Sequence, residues 1–241
     1  MTTASPDSPH PTFVPGPDDP AILPAIVGPA RLPPPPPRFM VRFVIGLSAA
    51  LKRFAAMLTP APMVLFDQMT GVINTMLLGA VGRLRIADHL AGGPLDIAEL
   101  ASRTHTHADT LDRCLRALVT MGVFERLPDG RFANNRLSTP LRSDQSPSFR
   151  DAADHFGSQA NVLTWADVDE SIRTGRSAFP RVYGRSVWKW FDEHPYEREV
   201  FARAMATITH LDAPAIARGY PFHEVQRLCD VGGGRGLMLS E

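Results

Sequence analysis

The stretch Leu228-Cys229-Asp230-Val231-Gly232-Gly233-Gly234-Arg235-Gly236 joins a short apolar run to a glycine-rich turn. This is how the first strand of an open α/β sheet bends into a helix against a bound cofactor. Glycine suits Gly232, Gly234 and Gly236 because, lacking a Cβ, it reaches positive φ and lets backbone approach a ligand closely. The pattern predicts a strand over 227–231, with the helix opening after Gly236. One strand and one helical turn can neither form a sheet nor bury their own apolar faces. The expectation is therefore an α/β domain truncated or interrupted at Glu241, whose orphan strand needs a cover.

Upstream, residues 148–222 read as helices that lead into this unit. Trp165, Val168 and Ile172 share one face, and Val200, Phe201, Ala204, Met205 and Ile208 share another. Further back, Asp96 and Glu99 form an Asp variant of a capping box for a helix over 97–103. Thr106 and Asp109 are read the same way for a helix over 107–121, with Gly122 where a C-terminal cap belongs. Val123 to Leu127, the turn Pro128-Asp129-Gly130, and Arg131 to Ala133 read as a hairpin. Helix, turn, helix and hairpin make a winged helix. Its second helix carries Asp109 and Asp112, which would repel phosphates, so DNA reading is disfavoured against a protein interface.

Nearer the N-terminus, Phe39, Phe43, Leu47, Leu51, Phe54 and Leu58 mark an amphipathic helix that Pro60 and Pro62 end. A second helix over 63–80 is apolar almost all round, which demands burial, and in so small a domain that points to a subunit interface. Residues 1–38 are proline-dominated, with Pro33 to Pro37 near their end, and read as a disordered or extended tail.

Composition limits the alternatives. Among 241 residues, 25 are basic and 25 acidic, which gives no overall electrostatic footprint for nucleic acid or an anionic membrane. No signal peptide is evident, and the apolar runs 43–51 and 68–82 are shorter than the roughly 20 residues that span a bilayer. No transmembrane helix is expected. Cys114 and Cys229, the two cysteines, both sit in apolar patterns that read as buried, which fits a reducing, cytoplasmic setting without disulfides. The histidines lack ligand spacing and no nucleophile elbow occurs, so neither a metal site nor a hydrolase triad is expected. Trp188 and Trp190 read as packing residues.

Over residues 63–241 the chain resembles the S-adenosylmethionine-dependent small-molecule O-methyltransferases of the caffeic acid, acetylserotonin and hydroxyneurosporene type. The resemblance rests on Leu84 to Leu90, Glu99-Leu100-Ala101, Leu115 to Leu118 with Gly122-Val123-Phe124, Arg173-Thr174-Gly175 with Tyr183-Gly184, Phe201 to Met205, and Asp230 to Gly236. It implies a mainly α chain with a winged-helix dimerisation domain, followed by the first β-α element of a truncated Rossmann-like methyltransferase domain. The implied divisions are a tail (1–38), the dimerisation domain (39–147), linker helices on the active-site side (148–222) and the incomplete cofactor domain (223–241).

The resemblance also implies that S-adenosyl-L-methionine is held by Asp230, Gly232, Gly234 and Gly236 with Met205 and Thr209. Trp165 and Phe201 would stand on the substrate side, and the partners would be a second copy of the chain and a small hydroxylated acceptor. The family's His base falls beyond Glu241, so no residue here inherits a catalytic role. Two other readings remain open: a non-catalytic dimerisation module, and a winged-helix DNA-binding regulator.

Overall fold

The computed structural model describes residues 38–234 and Gly236. Apart from Arg38, the expected tail lies outside the described residues, as does the expected helix at 237–241. Helix α1, Arg38–Leu58, follows the apolar spacing and ends two residues before Pro60, with the Thr59 hydroxyl donating to the Ala55 carbonyl at 3.0 Å. The single helix expected over 63–80 is divided into α2, Ala61–Met69, and α3, Gly71–Arg83. Thr70 marks the division, its hydroxyl bonding back to the Phe66 and Asp67 carbonyls at 3.1 Å each. Such back-bonding, followed by a glycine, loosens the helical ladder and bends it.

The expected length of the apolar run is corrected: taken together, Ala61–Arg83 is 23 residues long and apolar enough to cross a membrane by length and composition alone, because the run extends past Gln68 on its N-terminal side. Within one chain much of this surface is uncovered, as a subunit interface would require: α2 has no buried residue, and Met63, Phe66, Met69, Ile73 and Met76 are all exposed, while Gly79, Val81 and Gly82 at the end of α3 are buried.

The short helix α4, Ile86–His89, begins after Arg85, whose φ is 52°. Then come α5, Ile97–Thr104, and α6, Ala108–Thr120. The cap on α5 is as expected, the Asp96 carboxylate accepting from the Glu99 amide at 2.8 Å. The cap expected at Thr106 is not formed. Thr106 instead closes α5, its amide donating to the Ala101 carbonyl at 2.9 Å while His105 takes φ 52°. A residue committed to the end of one helix cannot head the next. His107 takes that place, with Nδ1 3.3 Å from the Thr110 hydroxyl. Gly122, at φ 78°, ends α6 in a Schellman turn, with the Val123 amide bonded to the Leu118 carbonyl at 2.9 Å.

Strands β1, Glu125–Arg126, and β2, Phe132–Ala133, pair antiparallel with Glu125 opposite Ala133, and Leu95 bridges to Phe132 on the far side. Ile86, Leu100, Leu115, Leu118, Phe124 and Phe132 meet as the fully buried centre. Cys114 lies at the margin of this core rather than inside it, and Cys229 is exposed.

The remaining helices are α7, Arg150–Phe156; α8, Gln159–Ala166; α9, Val168–Thr174; α10, Phe179–Tyr183; α11, Val187–Glu193; and α12, Pro195–Gly219. Helix α7 packs between α3 and α12. Its contact with α3 is backbone on backbone: a Cβ on Gly79 would lie 2.8 Å from the Gly157 Cα, and one on Gly157 would lie 2.7 Å from the Thr75 carbonyl oxygen. The strand expected over 227–231 is absent among the described residues. A strand exists through ladder bonds to a neighbour, and 227–231 has none among those residues.

Two stability outcomes follow. Gly157→Ala forces α3 and α7 apart and lowers stability by about 1–3 kcal/mol, read as a lower urea midpoint; an unchanged midpoint would mean the helices separate freely. Asp96→Ala costs about 1 kcal/mol through the lost cap, and Thr106→Ala costs less than that because Thr106 closes α5 through its backbone amide, which alanine keeps.

Candidate functional site

Helices α7, α8, α10, α11 and α12 line an open cavity of about 260 Å³. Aromatic rings supply most of its wall: Phe179, Trp188, Trp190, Phe191 and Phe201. Phe201 meets Phe191 at 5.1 Å between centroids and Trp188 edge-on at 6.1 Å, within the range of favourable ring contacts. Behind this wall Trp190 stacks on His194 at 4.0 Å, while His194 Nδ1 donates to the Trp190 carbonyl at 2.7 Å. The polar wall is made by Asp154, His155, Asn161 and Tyr196 among others.

Two of these polar groups, Asp154 and Tyr196, are fixed from behind. Asp154 is buried and accepts from Arg83 Nη1 on α3 and from the Tyr196 hydroxyl on α12, both at 2.8 Å. On the same helix, Asp151 accepts from Arg150 at 3.0 Å and from Arg203 Nε at 2.8 Å, and the Thr207 hydroxyl donates to the Ser148 carbonyl at 2.9 Å. Removing one partner from a buried pair strands the other charge, so these bonds lock α12 in register on α7. Burial, then the neighbouring Asp154 charge and the bond to it, raise the Tyr196 phenol well above its usual range. It therefore stays a neutral donor. His155 sits edge-on to Phe201 at 5.2 Å, and burial lowers its imidazole below the ordinary 6.5, against the opposing pull of Asp154.

Of the residues singled out in the sequence, Phe201 lines the cavity. Met205, one turn along α12, is half-buried and its carbonyl accepts the Thr209 hydroxyl at 2.9 Å; neither residue is part of the cavity wall. Trp165 stands outside the cavity and is 65% exposed, whereas Thr164 beside it lines the wall. Trp190 is a packing residue as expected, but Trp188 is 66% exposed and presents itself to the cavity. Asp154, His155, Asn161 and Tyr196 belong to no motif. A sequence signal existed for two of them: in Arg150-Asp151-Ala152-Ala153-Asp154-His155, charges at spacings of three and four sit amid apolar helices, which is a paired, buried stripe.

The glycine-rich turn forms as expected. Gly232, Gly234 and Gly236 take φ of 78°, 56° and 72°, and the Gly236 amide donates to the Gly233 carbonyl at 2.8 Å. Side chains rarely tolerate that backbone, so these positions require glycine. At Gly233 the reason differs: a Cβ there would fall 1.9 Å from Asp230 Oδ2, because the carboxylate folds over the turn. Asp230 is exposed. Among the described residues, no group of three or more metal-ligating side chains gathers.

Comparison with known proteins gives two family matches. Residues 66–144 match the O-methyltransferase dimerisation domain and residues 165–241 match the O-methyltransferase domain. A phenazine O-methyltransferase from Lysobacter antibioticus is 34% identical over 181 residues, which cover 75% of this chain and 53% of that protein. The crystal structure of LaPhzM superposes with a TM-score of 0.72 at 34% identity, over 75% of this chain and 54% of that one. An O-methyltransferase from neocarzinostatin biosynthesis, in complex with S-adenosylmethionine and 2-hydroxy-5-methyl naphthoic acid, gives 0.58 at 35% identity over 69% and 52%. The chain spans about half the length of the curated relatives it matches.

His155 provides a pH test. Its folded value lies below its unfolded one, so its share of stability is complete above about pH 6.5 and is lost as pH falls toward the folded value. Between about pH 7.5 and about pH 5.5, wild type is expected to lose more urea resistance than His155→Phe. His89, also lowered by burial, contributes equally to both proteins. Equal losses would show that His155 is free to protonate in the folded state.

Proposed function

Since the chain belongs to the O-methyltransferase family, matched over both its dimerisation and its O-methyltransferase domains, we propose that it serves S-adenosylmethionine-dependent O-methylation of a flat hydroxylated aromatic metabolite. The observation that carries this reading is the cavity, whose wall is largely aromatic rings in edge-on or tilted contact with one another. Such walls stack on an aromatic acceptor and keep water from it. Phe201 provides the contact on α12, Trp188 closes the side toward α11, and the fixed polar wall orients the acceptor's substituents. His155, kept neutral, can donate or accept one hydrogen bond there.

The glycine turn suits the donor. Gly232, Gly234 and Gly236 leave the backbone bare, since a Cβ at any of them would meet nothing within 4 Å, and the Asp230 carboxylate folded over Gly233 is placed to receive an ammonium group. When bound, S-adenosylmethionine supplies a methyl group on a sulfonium. The part of these residues is to hold its amino-acid end, and no residue of this chain is assigned as the base.

Helices α5 and α6 with the hairpin and the Leu95 bridge we read as a winged helix serving dimerisation, with a second copy covering the exposed face of α2 and α3. Its charges support that over DNA reading: Asp112 on α6 pairs with Arg116 at 2.8 Å, which leaves less positive charge for phosphates. A second reading, a dimerisation module without catalysis, draws on the same exposed face.

Binding separates the two. Trp188 and Trp190 border the cavity, so a hydroxynaphthoic acid is expected to quench tryptophan fluorescence, and titration calorimetry is expected to detect S-adenosylhomocysteine. Phe201→Ala weakens acceptor binding by about tenfold to a hundredfold, as expected for an aromatic contact of about 1.5–3 kcal/mol, with homocysteine-ligand affinity unchanged. If neither ligand binds while sedimentation shows a dimer, the non-catalytic module is the correct reading.

A further inference from the structure

Helix α1 lies before the residues matched by the family's dimerisation domain, which begins at residue 66. The matched dimerisation domain therefore does not include it. Every residue of α1 with a described side chain is exposed, from Phe39 to Leu58. Most of its large apolar residues lie on one broad side: Phe43, Leu47, Leu51, Phe54 and Leu58 follow at spacings of three and four, flanked by Phe39, Met40, Val44 and Met57, while Val41 and Ile45 fall on the other side beside Lys52. Arg42, Lys52 and Arg53 fall on the opposite side. Among the described residues none of the three has an acidic partner, and helix α1 contains no acidic residue at all. Between Asp19 and Asp67 the sequence has five basic residues and no acidic one, although the whole chain is balanced at 25 of each.

We propose that α1 is an interfacial helix that lies on an anionic lipid bilayer, its Phe and Leu side immersed and Arg42, Lys52 and Arg53 at the headgroups. Charge decides this occupant. A helix with a strong apolar side, charges that are all basic and lie off that side, and Phe or Leu for immersion has the composition of in-plane membrane helices. A second copy of α1 would bring like charges together and would need only a narrow seam of positions a and d, whereas the apolar side here is far broader than that. A bilayer accepts the full width, and long basic side chains reach up from its edges to the phosphates. Net neutrality of the chain does not oppose this, because the surface potential acts only within about a Debye length, roughly 8 Å at physiological salt. The sequence-level expectation of no membrane partner rested on that net charge.

The test is flotation of the full 241-residue chain with vesicles of phosphatidylcholine alone or mixed with phosphatidylglycerol. Wild type is expected to float with the mixed vesicles, to release as salt rises, and to bind phosphatidylcholine alone far less. Changing Arg42, Lys52 and Arg53 together to Gln should lower the partition by about a hundredfold, from about 1 kcal/mol per cation at an anionic surface and a tenfold change per 1.4 kcal/mol. Leu47→Asp should abolish it, with circular dichroism verifying that both variants fold. No flotation, or equal binding to both vesicle types, overturns the proposal. So does binding that survives both variants, which would assign the lipid contact to Ala61–Arg83. A dimer that Leu47→Asp dissociates, without vesicle binding, overturns it in favour of a second copy as the cover of α1.

Discussion

The approach of α3 to α7 sets the distances on which the site depends. Gly79 and Gly157 let the two backbones touch where a single Cβ on either would fall inside van der Waals contact. That closeness brings Arg83, one turn beyond Gly79, within 2.8 Å of Asp154. Asp154 in turn holds Tyr196 at the head of α12. A helix with side chains at these two positions would stand farther away, and the arginine would lose its geometry before its charge.

Helix α7 consequently serves both neighbours. Its glycine end faces α3, and its acidic residues, Asp151 and Asp154, face α12 through Arg203 and Tyr196. Buried ion pairs are weak sources of net stability, because desolvation offsets most of their attraction. They are strict about position, however, since a shifted partner leaves a charge unpaired. The aromatic wall made by α10, α11 and the start of α12 inherits that fixed register, and Phe201 lies on the same helix as Arg203. The cavity's shape is thus determined by polar bonds behind it and its surface by the rings in front.

Local signals in the sequence were read correctly where the physics was local. The Asp96 cap, the Gly122 terminator and the Pro128-Asp129-Gly130 turn each depend on backbone geometry within a few residues. The glycines at 232, 234 and 236 are of the same kind. The Thr106 cap failed because two adjacent helices competed for one residue, and the preceding helix's end took it. The division at Thr70 was hidden because hydrophobic pattern does not register a hydroxyl turning back on its own helix. Cys114 and Cys229 looked buried because apolar neighbours in sequence were taken for neighbours in space.

The sequence by itself determined the helical character of most of the chain, the hairpin and the glycine turn with Asp230 beside it, because periodicity, capping and φ preference act between residues close in the chain; its family was legible through the resemblance of its motifs. Only the tertiary structure decided which side chains form the cavity. Trp188 and His155 are brought to Phe201 from separate helices, and Trp165, though on the expected helix, points away from them. It also decided that α1 and α2 remain uncovered within one chain. An apolar stripe states that a surface avoids water, and it takes the packed structure to show whether the chain itself provides the cover.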